Sequence, residues 1–161
     1  LDNVDIHFHH EYAFRFVCSR GHLEIAKWLI KVSDERKSPI DIHAENEFAF
    51  RYTCSNGHLE VAKWLIEIGN ERKSPIDIHA ENDHAFRFTH WYYDHHEITK
   101  YLFTLYTTKY IKENFFSNYL AKEELENRKK NKLNLFLYLL KNKKFKKLLD
   151  MHAIAIIFNY F

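Results

Sequence analysis

The segment Ile40–Pro75 is repeated almost residue for residue by Val4–Pro39 before it and again from Ile76 after it, so one sequence recurs with a period of 36 residues. A fixed period of roughly 20–50 residues marks an array of stacked structural repeats, each leaving an apolar face that its neighbour covers. Function in such an array is expected on an extended surface and not in a single pocket.

Within the second repeat, Phe48-Ala49-Phe50-Arg51-Tyr52-Thr53-Cys54-Ser55 is a short apolar run with small residues on one side. Asn56-Gly57-His58 follows, and Gly57 supplies the left-handed backbone that ends a helix at little cost. Leu59, Val61, Ala62, Trp64, Leu65, Ile66 and Ile68 then combine with Glu60, Lys63 and Glu67 at helical spacing. This pattern predicts an antiparallel helix pair in each repeat. After Gly69 the polar stretch Asn70–Pro75 reads as a loop, because Pro75 cannot continue a helix. Ile76-Asp77-Ile78-His79 reads as a short extended piece that opens the next repeat.

The in-phase residues resemble the ankyrin repeat. Gly57-His58-Leu59-Glu60-Val61-Ala62-Lys63-Trp64-Leu65-Ile66 with Gly69 match the second-helix signature of that family, and Ile76-Asp77-Ile78-His79-Ala80 match its loop motif. Gly21-His22-Leu23-Glu24-Ile25-Ala26-Lys27-Trp28-Leu29-Ile30 repeat the helix signature in the first repeat. The resemblance implies an all-α, helix-turn-helix solenoid of three repeats, 4–39, 40–75 and 76–106, followed by a helical C-terminal segment, 107–161. The family's Thr-Pro-Leu-His opening of helix one is replaced by Tyr12-Ala13-Phe14-Arg15, Phe48-Ala49-Phe50-Arg51 and His84-Ala85-Phe86-Arg87, so the projecting loop is expected to be remodelled. With its period and its Lys/Asn/Ile/Phe/Tyr bias, the variant resembles ankyrin proteins of the large DNA viruses of amoebae. The third repeat decays: Gly57 has no counterpart, one residue is inserted in His90–His95, and Tyr101 stands where Trp64 does. Terminal repeats are often atypical.

Charge separates the repeats from the C-terminal segment. Residues 1–106 carry 12 Lys+Arg against 17 Asp+Glu, net −5, whereas residues 107–161 carry 12 against 5, net +7. Tyr110–Lys132 reads as a charged helix and Leu133–Leu149 as a second, apolar then basic one; together they are expected to cap the array. The cluster Lys141–Leu149 also suits an anionic membrane or nucleic acid, while the net charge of 1–106 argues against nucleic acid there. No run of 18 or more uncharged apolar residues and no secretory signal pattern is present, so an intracellular, cytoplasmic protein is expected. The first residue is Leu1, which suggests a fragment or processed product. Cys18 and Cys54 lie one period apart, in successive layers too distant for a disulfide, and read as buried free thiols.

Twelve histidines raise the question of a metal. His7, His43 and His79 share one repeat position, His22, His58 and His95 another, and His84 falls where Tyr12 and Phe48 stand; His9-His10, His90 and His96 remain outside the pattern, as does His152 in the C-terminal segment. No spacing predicts the three or four converging ligands of a zinc site, so no metal or other cofactor is expected. Arg15, Arg51 and Arg87 recur in phase. They would form either an anion-binding stripe or ties from helix one to the acidic loops around Asp41, Glu47 and Asp77, and the ties are expected because of the negative surface. Trp28, Trp64 and Tyr101, beside Leu29, Leu65 and Leu102, read as a core ladder rather than a platform for bases. No glycine-rich phosphate loop or nucleophile elbow is visible, so no enzymatic activity is expected.

The expected function is a monomeric protein-interaction scaffold with an unidentified protein partner. On the family resemblance, the partner is met by the loop before helix one, at His9, His10, Glu45, Asn46, Glu81 and Asn82, and by the end of helix one, at Ser19, Arg20, Ser55 and Asn56. Two alternatives are an adaptor that recruits substrates to a host ubiquitin ligase and a basic tail that binds nucleic acid or anionic membrane.

Overall fold

Gly21 and Gly57 take φ of +78° and +82°, and these two left-handed turns divide each of the first two repeats into a pair of helices. Each pair is closed by the same bonds: Gly21 N–H to Cys18 and His22 N–H to Val17, then Gly57 N–H to Cys54 and His58 N–H to Thr53. This is the paired terminal pattern that satisfies the last carbonyls of a helix. The computed structural model describes residues 4–91, 95–115 and 118–141. Among them every regular element is a helix: α1 (Phe8–Ser19) and α2 (Leu23–Glu35), α3 (Ala44–Ser55) and α4 (Leu59–Glu71), α5 (Ala80–Trp91) and α6 (His96–Leu105), then α7 (Thr108–Asn114) and α8 (Tyr119–Lys141).

The second helices end later than the sequence suggests. Gly69 lies inside α4, buried, where an added Cβ would come within 3.0 Å of the Ser74 carbonyl. Helix α4 runs on to Glu71, and the left-handed residue is Lys73, at φ +56°, as Lys37 is after α2. At the matching place in α2, Ser33 is buried, donating to the Ile30 carbonyl at 2.7 Å and accepting from Ile40 N–H at 3.3 Å. The close approach of the returning chain explains why only a small residue fits.

Helices α1, α3 and α5 pack closely side by side, whereas α2, α4 and α6 stand further apart, so the array curves with the first helices on its inner side. Phe14, Phe50 and Phe86, one per repeat, are 0% exposed and form the spine of the core, with Cys18 and Cys54 beside them. The expected tryptophan ladder is corrected here. Trp28 is 48% exposed, and Trp64 and Tyr101 are half-buried. Because the second helices diverge, a large ring on them is only partly covered; Trp64 rests its edge on Phe14 of the preceding repeat, ring centroids 6.2 Å apart. Both cysteines are free thiols and burial pushes their pKa up.

The chain divides into two compact parts, Leu1–Leu105 and Tyr106–Phe161. In the second part Thr107 caps α7 by accepting from Tyr110 N–H at 3.1 Å, and Asn118 caps α8 by accepting from Leu120 and Ala121 N–H. The expected break near Leu133 is absent, since α8 is continuous from Tyr119 to Lys141. Arg128 ties its middle to the start of α7, donating to the Tyr106 carbonyl at 2.9 Å and pairing with Glu124 at 2.7 Å. Residues 142–161, with most of the basic stretch and Ala153–Phe158, lie outside the described residues.

Candidate functional site

Each repeat opens its first helix with three consecutive non-glycine residues in the left-handed region. They are His9-His10-Glu11, Glu45-Asn46-Glu47 and Glu81-Asn82-Asp83, with φ between +50° and +63°. Left-handed backbone costs an L-residue about 1–2 kcal/mol each, so the turn needs external restraint. In the first two repeats the arginine four residues on supplies it. Arg15 donates Nε to the His10 carbonyl at 2.7 Å and Nη2 to the His9 carbonyl at 2.8 Å; Arg51 does the same to Asn46 at 2.7 Å and Glu45 at 3.0 Å. The expected carboxylate partners of these arginines are therefore corrected: the guanidinium fork grips main-chain carbonyls of its own helix.

The third residue of each turn faces inward as a strut. Glu11 and Glu47 are 6% exposed, and their Oε1 atoms accept from Asp41 N–H at 3.3 Å and Asp77 N–H at 3.1 Å, joining one repeat to the next. The same oxygens receive His7 Nδ1 at 2.8 Å and His43 Nδ1 at 2.7 Å, and His79 pairs with Asp83 at 2.7 Å. A carboxylate can only accept, so Nδ1 carries the proton. The opposite ring nitrogen meets Ser38 Oγ at 3.0 Å in the first repeat and Ser74 Oγ at 2.8 Å in the second. Serine, histidine and carboxylate thus stand in the order of a hydrolytic triad. Their recurrence at successive repeats identifies them as a joint that fixes the loop to the helix pair, with no special role for one serine.

With the struts turned in, the other two side chains of each turn point to solvent. His9, His10, Glu45, Asn46, Glu81 and Asn82 are all exposed. They also link sideways: Asn46 donates to Glu81 at 2.8 Å, and His10 lies 3.8 Å from Glu45. Arg20 and Asn56, at the far end of the first helices, are exposed as well, Arg20 over the Phe16 ring at 5.3 Å and Asn56 donating to the Ser19 carbonyl at 2.8 Å. Ser19 and Ser55 are not on this surface. At 9% and 3% exposure they donate to the carbonyls of Phe16 and Arg51, which corrects their placement among the contact residues.

Between the turns and the helix ends runs a ladder of rings that sequence reasoning missed. Tyr12 stacks with Phe16 at 5.9 Å, Phe48 with Tyr52 at 4.1 Å and His84 with Phe88 at 4.1 Å, and Tyr52 reaches His84 at 5.2 Å. Arg15 lies over Phe48 of the next repeat at 4.8 Å and so joins two rungs, while Arg51 lies over its own neighbour Tyr52 at 5.6 Å. Tyr12 and Phe16 are 55% and 43% exposed. The signal was present: positions 12, 48 and 84 and positions 16, 52 and 88 carry a ring in every repeat, four residues apart on one helix face. Desolvation and the nearby Arg51 and Arg87 hold His84 below its ordinary pKa, so this rung stays uncharged near neutrality. Among the described residues no group of three or more His, Cys, Asp or Glu is placed to hold a metal ion.

Paired helices, left-handed glycine turns and a curved stack of first helices define an ankyrin-type solenoid. By structure the chain is similar to an ankyrin repeat family protein from Legionella pneumophila known from an X-ray structure, with a TM-score of 0.61 and 29% sequence identity. The similarity covers 80% of this chain and 37% of that one, so this chain spans well under half the length of its neighbour. No protein-family profile matches the sequence, and no curated protein matches it. The ankyrin-repeat fold generally serves as a protein–protein interaction scaffold and is typically without catalytic activity. Among the described residues no helix is long and apolar enough to cross a membrane.

Proposed function

We propose that the chain is an interaction scaffold that holds a protein partner against the inner face of its repeats. The face joins the exposed turn residues His9, His10, Glu45, Asn46, Glu81 and Asn82 to the rings of Tyr12, Phe16, Phe48 and Tyr52. One observation carries the reading. Backbone in a costly conformation opens the first helix of all three repeats and is clamped by an arginine in the first two, and the pair it displays is His9-His10 in the first repeat but Glu-Asn in the second and third. Rigid display lowers the ordering entropy lost on binding, and aromatic side chains add contact area with few rotatable bonds. The protein acts as a monomer inside the cell, where the reduced state of Cys18 and Cys54 is maintained.

A photo-reactive benzoylphenylalanine placed singly at Tyr12, Asn46, Glu60 or Lys63 of the full chain tests the surface. The partner is expected to cross-link from positions 12 and 46. Adducts formed only from positions 60 and 63, on the outer helix α4, would move the binding surface to the other side of the array.

A further inference from the structure

The face of the first repeat that looks away from the second is composed like the faces that the second and third repeats bury. Val4 is 57% exposed, whereas Ile40, one period on, is 3% exposed; Ile25 is 48% exposed, whereas Val61 is 2% exposed. Ala13 lies in solvent where Ala49 is 1% exposed. Trp28 stands 48% exposed, while Trp64 is half-covered by Phe14 of the repeat before it. A groove of about 410 Å³ opens here, lined by Val4, Ile6, Ala13, Trp28, Leu29 and Val32.

We infer that this face seats one further helix pair of the same repeat type, placed ahead of Val4 and offering to Trp28 the ring that Phe14 offers to Trp64. The junction between the first two repeats specifies that occupant. Its first helix carries a phenylalanine at the place of Phe14, since a smaller residue would leave the Trp28 edge wet. Its turn carries a glycine under His22, because the His58 ring occupies the space beside Gly21 that any Cβ would need. Its left-handed turn ends in a glutamate whose Oε1 reaches Asp5 N–H, as Glu11 reaches Asp41 N–H. The exposed residues are the very positions that this junction buries in the next repeat, so the occupant follows from an interface already built twice in the molecule.

The test extends the full chain at its N-terminus with an in-register copy of residues 4–39, with Trp64, Trp91 and the copy's own tryptophan changed to Phe so that Trp28 alone reports. Acrylamide quenching of Trp28 is expected to fall to the level of Trp64 in a matching single-tryptophan chain, and the thermal midpoint to rise by about 5 °C or more. Phe14→Ala in the copy alone should return most of the quenching. Unchanged quenching of Trp28 overturns the inference, whether the added copy gains helical circular dichroism or stays unfolded. A concentration-dependent dimer of the unextended chain that is abolished by Trp28→Glu also overturns it, because the face would then belong to a second copy.

Discussion

The imidazole of His58 lies so close over Gly21 that a Cβ on the glycine would meet Nδ1 at 2.5 Å, and His95 covers Gly57 in the same manner, its ring 2.8 Å from such a Cβ. Each glycine therefore answers two demands, positive φ and room for the histidine of the next repeat. Gly57→Ala is expected to cost about 1–3 kcal/mol for the backbone alone, with a further steric loss. Combining it with His95→Ala should recover the steric part and leave the backbone part, a non-additive cycle readable by urea denaturation.

A second prediction rests on the same contact and concerns pH. Desolvation, then the neighbouring His95 and His22, hold His58 below the ordinary histidine value of 6.5, against the opposing effect of the Ser19 carbonyl, which accepts a hydrogen bond from the ring. The unfolded chain thus binds this proton more readily than the folded one. Its contribution is complete above pH 6.5 and is lost as pH falls below that value toward the lower folded one. His84 acts in the same direction. Thermal midpoints should decline below about pH 6.5, and His58→Gln should make that decline shallower.

Arg51 provides a third. At 9% exposure it holds two carbonyls of its own left-handed turn. Arg51→Ala should lower stability by about 1.5–3 kcal/mol, the worth of charged hydrogen bonds that are removed. Arg51→Lys should rescue little, because an ammonium cannot span both oxygens as a planar fork does. Heparin affinity of residues 1–106 should not change with either substitution, and a loss of such affinity at unchanged midpoint would reassign the arginines to ligand binding.

Aromatic truncations should rank by burial and not by size. Phe50, 0% exposed in the central repeat, should cost about 3–5 kcal/mol as Phe50→Ala. Trp64→Ala should cost less, and Trp28→Ala, on the exposed face, about 1 kcal/mol or under. Chemical denaturation of the three variants checks the order, and an equal loss at Phe50 and Trp28 would contradict the spine of phenylalanines.

The thiols give a simple reactivity test. Cys18 and Cys54 are both 0% exposed, with burial raising their pKa. Ellman's reagent should leave them unmodified in the native protein and react with both in denaturant.

Period, helix pairing and the glycine turns were legible because each has a residue-level signature: Gly57 at a helix end, Pro75 after a loop, and apolar residues at helical spacing. The left-handed turns were not. Glu45-Asn46-Glu47 contains no glycine, and its restraint comes from Arg51 bonding to carbonyl oxygens, groups that every residue carries and no sequence pattern advertises. The in-phase arginines were noticed, but charge suggested carboxylate partners. Trp28 and Trp64 were misplaced because periodicity identifies an apolar face without showing how widely neighbouring helices diverge. Ser19 and Ser55 looked available for contact since a helix end is usually wet, yet both hydroxyls turn back on their own helix.

The arginine fork has a consequence for how such a surface changes over generations. Its grip is blind to the letters it holds up, since the atoms it binds are identical whichever amino acids stand at positions 45 and 46. Mutation can therefore rewrite the displayed pair in one repeat, giving up sideways links such as that of Asn46 to Glu81, while the scaffold and the joint to the next repeat remain untouched. Recognition in this chain is composed of interchangeable words on a fixed line, and a library randomised at His9, His10, Glu45, Asn46, Glu81 and Asn82 should yield new specificities on one unaltered frame.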